Sequence, residues 1–205
     1  MIMSFMPLLI DLSAKHVVVI GGGKIAERRV KTLLQYISHL DIVSPHLTET
    51  LAYYNEQGFV TWHAKKYELS DINNADFIII ATNNRTVNNE IKAQAPAHAL
   101  VNMSSEANSG NTVFPAIIQR SKLSIAISTS GASPKLTADI VRQLKEQYTE
   151  DYGAYVDFLY EYRQAVKQLN VNEQKKNQLL KEVLADEYKQ PAQQQKALSW
   201  LNSQI

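Results

Sequence analysis

The sequence predicts an α/β fold, with a doubly wound parallel sheet followed by a small α+β domain and a C-terminal helical region. Three observations support this prediction. Strand and helix patterns alternate through the first half, two strand-like segments then follow without a helix between them, and only helical periodicity remains after residue 148. We therefore expect three parts, covering residues 1–112, 113–147 and 148–205.

Composition excludes several classes of protein. The chain has 205 residues, 45% of them apolar, and its 21 Lys and Arg against 20 Asp and Glu give a net charge of +1. This balance provides no general attraction to nucleic acid or to an anionic membrane. The absence of cysteine rules out disulfides, thiolate metal sites and cysteine nucleophiles. Residues 1–10 are apolar but too short for a membrane span, so we expect a soluble, cytoplasmic protein.

The first half contains five strand patterns separated by helical ones. Residues 15–20 (KHVVVI) end at three consecutive glycines, and helical periodicity begins at Ile25. Further strands are predicted at residues 40–44, 59–64, 77–82 and 100–103, with helices after Pro45 and at 87–94. The run FIIIAT at 77–82 is apolar until its last residue, as expected for a parallel strand covered on both faces.

The pattern changes at Ser104. Residues 104–112 are polar and predict a loop, and the strand-like residues 113–119 and 123–128 are joined by a short turn, which favours antiparallel pairing. Ser133 and Pro134 then have the N-cap and N1 character typical of a helix start. Two strands are too few for a stable sheet, so we expect this part to be a dimerisation domain.

Helical periodicity dominates the last part. Six apolar residues recur at alternating spacings of three and four: Tyr152, Tyr155, Leu159, Tyr162, Val166 and Leu169. A stripe this narrow needs a partner surface, which also favours a homodimer. A second helix is predicted through Leu180, Leu184 and Tyr188, and a third after Pro191.

The glycine turn is the sharpest motif. Residues 21–26 (GGGKIA) fit G-x-G-x-x-A between a strand and a helix, the fingerprint of Rossmann-like dinucleotide-binding domains. Gly21 permits the tight turn, Gly23 lets a pyrophosphate approach the backbone, and the N–H groups of Lys24 and Ile25 at the helix start would bind it. The pattern therefore predicts a dinucleotide site, the alternative being a glycine turn without a ligand.

The second strand lacks the acidic residue that usually binds the adenosine ribose. It ends at Ser44, Pro45 and His46, and Asp41 lies too early, inside the strand. Ser44 or the backbone around Pro45 and His46 would take that role. The local chemistry alone does not choose between NAD and NADP.

Two other candidate features have structural alternatives. The five histidines are scattered, without carboxylates at ligand spacing, so we expect no protein-ligated metal. The turn at 128–133 (STSGAS) precedes a helix and is either an anion-binding loop or a capped turn.

With these motifs in place, the chain resembles the bacterial precorrin-2 dehydrogenase family, the dehydrogenase half of siroheme synthase. The resemblance lies in MPLLIDL at 6–12, VVIGGGKIAERR at 18–29, IATNN at 80–84 with Val87 and Asn88, LVN at 100–102, FPAI at 114–117, LSIAIS at 123–128 and GASP at 131–134. These segments span about residues 6–145 in order. The chain is most similar to the stand-alone dehydrogenases of Gram-positive bacteria.

The resemblance implies an activity and a set of site residues. It implies that precorrin-2 is oxidised to sirohydrochlorin, with reduction of NAD⁺, by a homodimer that exchanges strands. The NAD site would include the positions of Lys24, Ile25, Pro45 and His46. Thr82 and Asn83 would lie at the carboxyl end of the fourth strand, where such ligands bind.

One position departs from the bifunctional relatives. They carry an aspartate, implicated in both dehydrogenation and iron insertion, where this chain has Ser105, and the neighbouring carboxylate is Glu106. The resemblance therefore implies dehydrogenation without ferrochelatase activity, a proton leaving through Ser105, Glu106 or water, and hand-over of the product to a separate chelatase. Arg120, Lys122 and Lys135 are candidate cations for the eight substrate carboxylates.

Two other functions fit parts of the sequence. A non-enzymatic NAD(H)-sensing module would also carry the glycine turn, and a tetrapyrrole carrier would also carry the later motifs. The segment 114–134 favours the dehydrogenase over the sensor, because sensing alone does not account for its motifs.

Overall fold

The computed structural model describes residues 5–104 and 109–204. The chain divides between Phe114 and Pro115 into two compact units. The first contains a parallel sheet in the order β3-β2-β1-β4-β5. Its strands are β1 (Val17–Ile20), β2 (Leu40–Val43), β3 (Val60–His63), β4 (Phe77–Ile80) and β5 (Leu100–Met103). The expected α/β fold is confirmed.

Helices cover both faces of this sheet. They are α1 (Lys24–Leu33), α2 (Glu49–Glu56), a 3₁₀ turn (Leu69–Ile72) and α3 (Arg85–Gln94). Residues of α1 and α2 pack on one face in a core that includes Val19, Val30 and Leu51, and α3 packs on the other face through Ile91. The central strands β1 and β4 are buried along their whole length. This burial explains why their sequences read as continuous apolar runs.

Strands β1 to β4 are all shorter than predicted, and the contacts at the start of β1 and the end of β4 show how the chain enters and leaves the sheet. Residues 15 and 16 precede β1, and Asp76 accepts hydrogen bonds from the His16 backbone N–H at 3.0 Å and from Lys15 Nζ at 3.2 Å. Beyond β4, the N–H of Ala81 still donates to Ile20 O at 2.8 Å, but Thr82 leaves the sheet. Residues 81–84 therefore form a loop at the carboxyl end of β4.

Residues 109–112, at the end of the segment predicted as a loop after β5, pack along that edge strand. The Val101 N–H donates to Asn111 Oδ1 at 2.6 Å, and Asn111 Nδ2 donates to Ala99 O at 2.9 Å. A Cβ atom on Gly110 would lie 2.1 Å from Val101 O, so this close approach needs glycine. At the opposite edge, in β3, the Trp62 N–H donates to Asn55 Oδ1 at 3.0 Å.

The second unit begins with the predicted antiparallel pair. Its elements are β6 (Ala116–Arg120), β7 (Leu123–Ile127), α4 (Pro134–Gln147), α5 (Tyr152–Gln168), α6 (Glu173–Glu182), a 3₁₀ turn (Asp186–Lys189) and α7 (Pro191–Asn202). Ile118 pairs with Ile125 across the hairpin. Ser133 caps α4 by accepting a hydrogen bond from the Leu136 N–H at 3.2 Å. The helix start predicted there is confirmed.

The tyrosine stripe of α5 is covered by the chain's own helices. Tyr155, Tyr162 and Val166 are buried in a core to which α6 and α7 contribute Leu179 and Leu201. The partner surface that this stripe needs therefore lies within the chain, and the stripe adds no support for a homodimer. The prediction of one helix through Tyr188 was wrong, because α6 ends at Glu182 and a separate 3₁₀ turn follows.

No helix in the described parts of the chain is long and apolar enough to cross a membrane.

Candidate functional site

A cavity of about 780 Å³ lies in the first unit, at the carboxyl edge of the parallel sheet. It is lined by residues 20–25, 43–45, 66–69 and 81–84, together with Val87, Glu90 and Gln94. These segments follow β1, β2, β3 and β4 or belong to α3. The strand order reverses between β1 and β4, and ligands of open α/β sheets bind at such a reversal.

Most of the predicted cofactor residues line this cavity. They are Gly21, Gly23, Lys24, Ile25, Ser44, Pro45, Thr82 and Asn83. His46 does not line it, but its carbonyl oxygen accepts a hydrogen bond from Ser44 Oγ at 2.8 Å. The predicted catalytic residues Ser105 and Glu106 lie outside the described residues.

The three glycines of the turn have different surroundings. Gly21 has φ +123°, and a Cβ atom there would lie 2.5 Å from Ala81 O. A Cβ on Gly22 would lie 2.0 Å from His46 O, whereas one on Gly23 would meet no atom within 4 Å. Packing therefore requires glycine at the first two positions. At Gly23 only a ligand approaching from the cavity would impose that requirement.

The start of α1 has unsatisfied donors beside this open space. Gly23 is its N-cap and provides no side-chain hydrogen bond, whereas Thr48 caps α2 and Asn84 caps α3. The N–H groups of Lys24 and Ile25 belong to the first turn of the helix, where backbone donors have no partner within the helix. Free N–H groups, the positive end of the helix dipole and an open glycine together fit a dinucleotide pyrophosphate.

The end of β2 is a hydrogen-bonded turn with few free donors. Ser44 is buried, its Oγ donates to His46 O, and its carbonyl accepts from Trp62 Nε1 at 2.8 Å. Because the hydroxyl proton is already donated, Ser44 Oγ can offer a ligand only an acceptor. The sequence identified the residue but not this consequence.

The wall formed by residues 66–69 was missed in the sequence. Tyr67 is half-buried and donates from its hydroxyl to Gln94 Oε1 at 3.0 Å. Burial raises the pKa of Tyr67 above its ordinary value, so the hydroxyl stays protonated. The available signal was position, because residues that follow a parallel strand lie at the carboxyl edge of the sheet.

The loop at 81–84 is held by a buried side chain of α3. Asn88 is 1% exposed, and it hydrogen-bonds both Thr82 O and Thr82 Oγ. Asn84 Oδ1 accepts from the N–H groups of Thr86 and Val87 at 3.0 and 3.2 Å. In the sequence, Asn88 belongs to a motif shared with the family, but nothing in the pattern assigns it a role.

Beside β5, the last described residue before 105 is firmly bonded to the sheet. The Ser104 N–H donates to Ile80 O at 2.9 Å, and Ser104 Oγ donates to Asn102 Oδ1 at 3.2 Å. The chain therefore leaves β5 next to the end of β4, at the edge of the sheet where the cavity lies.

The histidines are less scattered than the sequence suggested. His16 Nε2 lies 2.8 Å from Asp41 Oδ2, and His63 Nε2 lies 3.5 Å from Asp41 Oδ1. The hydrogen bond to Asp41 raises the pKa of His16. Spacing along the sequence could not reveal these contacts with Asp41, because residues far apart in sequence meet across neighbouring strands. Within residues 5–104 and 109–204, no cluster of three His, Cys, Asp or Glu side chains suits a metal ion.

Two candidate cations of the second unit are already paired. Arg120 is buried; its Nε donates to the carbonyls of Tyr148 and Thr149 at 2.9 and 3.0 Å, and its Nη1 lies 3.1 Å from Glu150 Oε1. Lys122 Nζ lies 2.7 Å from Asp157 Oδ1. Arg120 therefore joins the hairpin to the turn between α4 and α5, and these contacts occupy donors that the sequence analysis assigned to substrate carboxylates.

The turn at 128–133 uses its polar groups internally. Thr129 Oγ1 accepts from the Ser133 N–H at 3.3 Å and lies 3.1 Å from Thr137 Oγ1, while Ser128 Oγ accepts from the Ser130 N–H at 3.1 Å. These bonds favour the capped turn over the anion-binding loop.

A doubly wound parallel sheet with an open glycine turn and an uncapped helix start at its strand-order reversal defines a Rossmann-type dinucleotide-binding protein. An NAD(P)-binding family model matches residues 8–116, and models described as sirohaem biosynthesis protein central and SirC C-terminal domain match residues 120–147 and 152–198. The chain belongs to the precorrin-2 dehydrogenase family, and it is an oxidoreductase with a nicotinamide cofactor.

The similarity to individual relatives extends over most of the chain. A precorrin-2 dehydrogenase from Priestia megaterium is 39% identical, over 88% of this chain and 90% of the relative. One from Bacillus subtilis (strain 168) is also 39% identical, over 77% of this chain and 98% of the relative. The solved structure of SirC, precorrin-2 dehydrogenase, is 36% identical and superposes with a TM-score of 0.86, covering 97% of this chain and 100% of that one.

Proposed function

We propose that this chain oxidises precorrin-2 to sirohydrochlorin with NAD⁺ as the hydride acceptor. The observation that carries the proposal is the cavity beside Gly23, which combines open space with unsatisfied N–H groups in a chain of this family. The reaction removes two hydrogens from the substrate, one as a hydride and the other as a proton. A bound dinucleotide supplies the nicotinamide ring that accepts the hydride.

The residues around the cavity divide into three groups along the dinucleotide. Lys24 and Ile25 bind the pyrophosphate through backbone N–H groups, with Gly23 allowing the close approach. Ser44, Pro45 and the neighbouring His46 form the adenosine-ribose end. Thr82 and Asn83, at the end of β4, would hold the nicotinamide end of the cofactor.

The choice of NAD over NADP is supported by Ser44. Its hydroxyl proton is donated to His46 O, so Oγ presents a lone pair to the ribose. A ribose 2′-hydroxyl can donate to that lone pair, whereas a 2′-phosphate ionised at neutral pH carries only acceptors. The site therefore favours the unphosphorylated cofactor.

The proton is proposed to leave through Ser105, Glu106 or water. A serine hydroxyl is a poor base near neutral pH, but loss of a proton needs only a nearby acceptor once the hydride is positioned. Iron insertion would require groups that remove the pyrrole protons, and the aspartate of the bifunctional relatives is replaced by Ser105. We therefore propose that ferrochelatase activity is absent and that a separate chelatase receives the product.

A homodimer is supported by the second unit. Its sheet has two strands, and α4 has no buried residue, with Leu136 51% exposed. An amphipathic helix without a buried residue fits an interface with a second copy. The division into parts 1–112, 113–147 and 148–205 is likewise proposed. The family models at 120–147 and 152–198 fall within the second and third parts, whereas the NAD(P)-binding model at 8–116 extends past the end of the first.

The decisive experiment is incubation of the purified protein with precorrin-2 and either NAD⁺ or NADP⁺. NADH formation matched by the sirohydrochlorin spectrum supports the dehydrogenase. Binding of NAD⁺ without oxidation of precorrin-2 would favour an NAD(H)-sensing module. Retention of unchanged tetrapyrrole would favour a carrier. Faster reduction of NADP⁺ than of NAD⁺ would overturn the cofactor assignment alone.

A further inference from the structure

Asn88 of α3 contacts the loop at residues 81–84, which lines the cavity, from the protein interior. Its side chain is 1% exposed, and both of its polar atoms bond one residue of the loop. Nδ2 donates to Thr82 O at 3.1 Å, and Oδ1 accepts from Thr82 Oγ. A buried amide whose nitrogen and oxygen both hydrogen-bond the same residue fixes that residue's backbone and side chain together.

The direction of each hydrogen bond follows from elementary chemistry. The carbonyl oxygen of Thr82 can only accept, so the amide nitrogen of Asn88 must face it, and the amide oxygen then faces Thr82 Oγ. A hydroxyl has one proton, which Thr82 therefore gives to Asn88. Thr82 Oγ also accepts from the Asn84 N–H at 3.1 Å, so its bonding is nearly complete within the protein.

The orientation of the next peptide unit follows from the Thr82 carbonyl. The described chain contains no cis peptide bond, so the Asn83 N–H points opposite to Thr82 O. Thr82 O points to Asn88 in the interior, and the Asn83 N–H therefore points to the side where Asn83 lines the cavity. Among the described residues, this N–H has no hydrogen-bond partner.

We propose that Asn88 is a positioning residue for the dinucleotide, because it turns the Asn83 backbone N–H into the cavity as a donor to a ligand oxygen. This inference rests on the proposed function, since the oxygen belongs to the cofactor. Asn88 itself does not touch the ligand. Its effect is to fix the loop before binding, so that no ordering is required at that moment.

Asn88→Ala tests the inference against two controls on the same helix. Loss of the two hydrogen bonds to Thr82 should weaken NADH binding about fivefold in a fluorescence titration, which is the effect of one hydrogen bond to the ligand. Asn89→Ala makes the same change at the adjacent, exposed position and should bind as wild type. Ile91→Ala opens a buried site and lowers the melting temperature without touching Thr82, so it separates lost stability from lost positioning.

An NMR readout distinguishes positioning from general structural support. In ¹⁵N-labelled wild-type protein, saturation with NADH should shift the Asn83 amide proton downfield. In Asn88→Ala that shift should fall by at least about half, because the N–H is no longer held toward the cavity. The two proteins can be compared at saturation, because NADH still saturates a variant whose affinity is about fivefold weaker. An unshifted Asn83 amide in saturated wild-type protein would overturn the inference. So would wild-type NADH affinity in Asn88→Ala. Failure of the wild type to bind NADH at all would instead refute the proposed function, and this inference with it.

Discussion

A Cβ atom on Gly22 would lie 2.0 Å from the carbonyl oxygen of His46, and 2.8 Å from Ser44 Oγ. The middle glycine of the turn therefore packs directly on the turn that follows β2. The dinucleotide fingerprint gives that position no role, and here its role is packing. The neighbouring Gly23 has no such contact, so the two glycines can be tested against each other.

Gly22→Ala should lower the free energy of unfolding by about 1–3 kcal/mol, because the methyl group forces the two turns apart. Gly23→Val should leave stability nearly unchanged and weaken NAD⁺ binding more than about tenfold, because a branched side chain would occupy the pyrophosphate position. Urea unfolding and calorimetry measure the two effects. NAD⁺ affinity in Gly23→Val equal to wild type would show that the turn is not the cofactor site.

Arg120→Met should destabilise the protein by about 2–3 kcal/mol, because the carbonyls of Tyr148 and Thr149 lose a charged donor in a buried site. Lys122→Met is the matched control, since Lys122 is half-exposed in its pair with Asp157 and should cost less than about 1 kcal/mol. Urea midpoints of the two variants give the comparison. Equal costs would mean that Arg120 does not anchor the hairpin.

The stability contributed by His16 should depend on pH. Its Nε2 faces Asp41 and its Nδ1 faces Asn74 O, both acceptors, so folding favours the doubly protonated ring and raises the pKa of His16. A raised pKa in the folded state gives stability that is complete below the ordinary value of about 6.5 and is lost as the pH rises through the raised value. The exposed side chain limits the effect to a few tenths of a kcal/mol.

The measurement for His16 is the unfolding free energy of wild type and His16→Gln between pH 5 and pH 9, a range spanning the ordinary histidine pKa of about 6.5. Their difference should shrink toward high pH. The neighbouring charges are Asp41, which also faces His63, and Asp76, which is paired with Lys15. His39→Gln is the control, since that ring contacts Gly58 O and Thr61 Oγ1 instead of a carboxylate. A pH-independent difference for His16 would contradict the prediction.

Ser105→Ala should reduce dehydrogenation by about tenfold or less, below the usual contribution of a general acid–base group. Wild-type protein given sirohydrochlorin and Fe²⁺ should form siroheme no faster than the no-enzyme control. Initial rates of NADH formation and of siroheme absorbance provide the two readouts. Loss of all dehydrogenase activity in Ser105→Ala, with cofactor binding intact, would show that Ser105 is essential. Siroheme formation faster than the no-enzyme control would show that the wild-type protein has ferrochelatase activity.

Sedimentation equilibrium at micromolar protein should give the mass of a dimer. Leu136→Glu places a charge on the exposed apolar face of α4 and should shift the protein toward monomer, because a buried unpaired charge is costly. Lys135→Glu, at the adjacent exposed position, controls for added negative charge. A monomer mass for wild type at every concentration would rule the dimer out.

The sequence contained the elements but not the contacts between them. The β-branched run before Gly21 and the apolar run at 77–82 predicted their strands, because burial on both faces leaves a continuous pattern. The pairing of His16 with Asp41 joins residues 25 apart, and that of Arg120 with Tyr148 joins residues 28 apart. Such contacts depend on strand order and helix packing, which local periodicity does not encode.

The candidate site was likewise predictable where a local motif marks it and not where it depends on packing. The fingerprint identifies Gly23 because a local backbone shape is enough to bind a phosphate. Asn88 has no local signature, since its function depends on facing Thr82 after α3 has packed. The tyrosine stripe shows the same limit, because its spacing reveals a covered face without identifying the helix that covers it.

Two asparagines at the edges of the parallel sheet, Asn55 beside β3 and Asn111 beside β5, lie where a strand from another molecule would pair. Each satisfies a main-chain donor that an added strand would use, at Trp62 and at Val101. Unprotected border strands are templates for fibre growth between identical molecules. The side-chain amides block this pairing at the positions they occupy. A concentrated solution of the folded protein should therefore resist polymerisation through its edge strands.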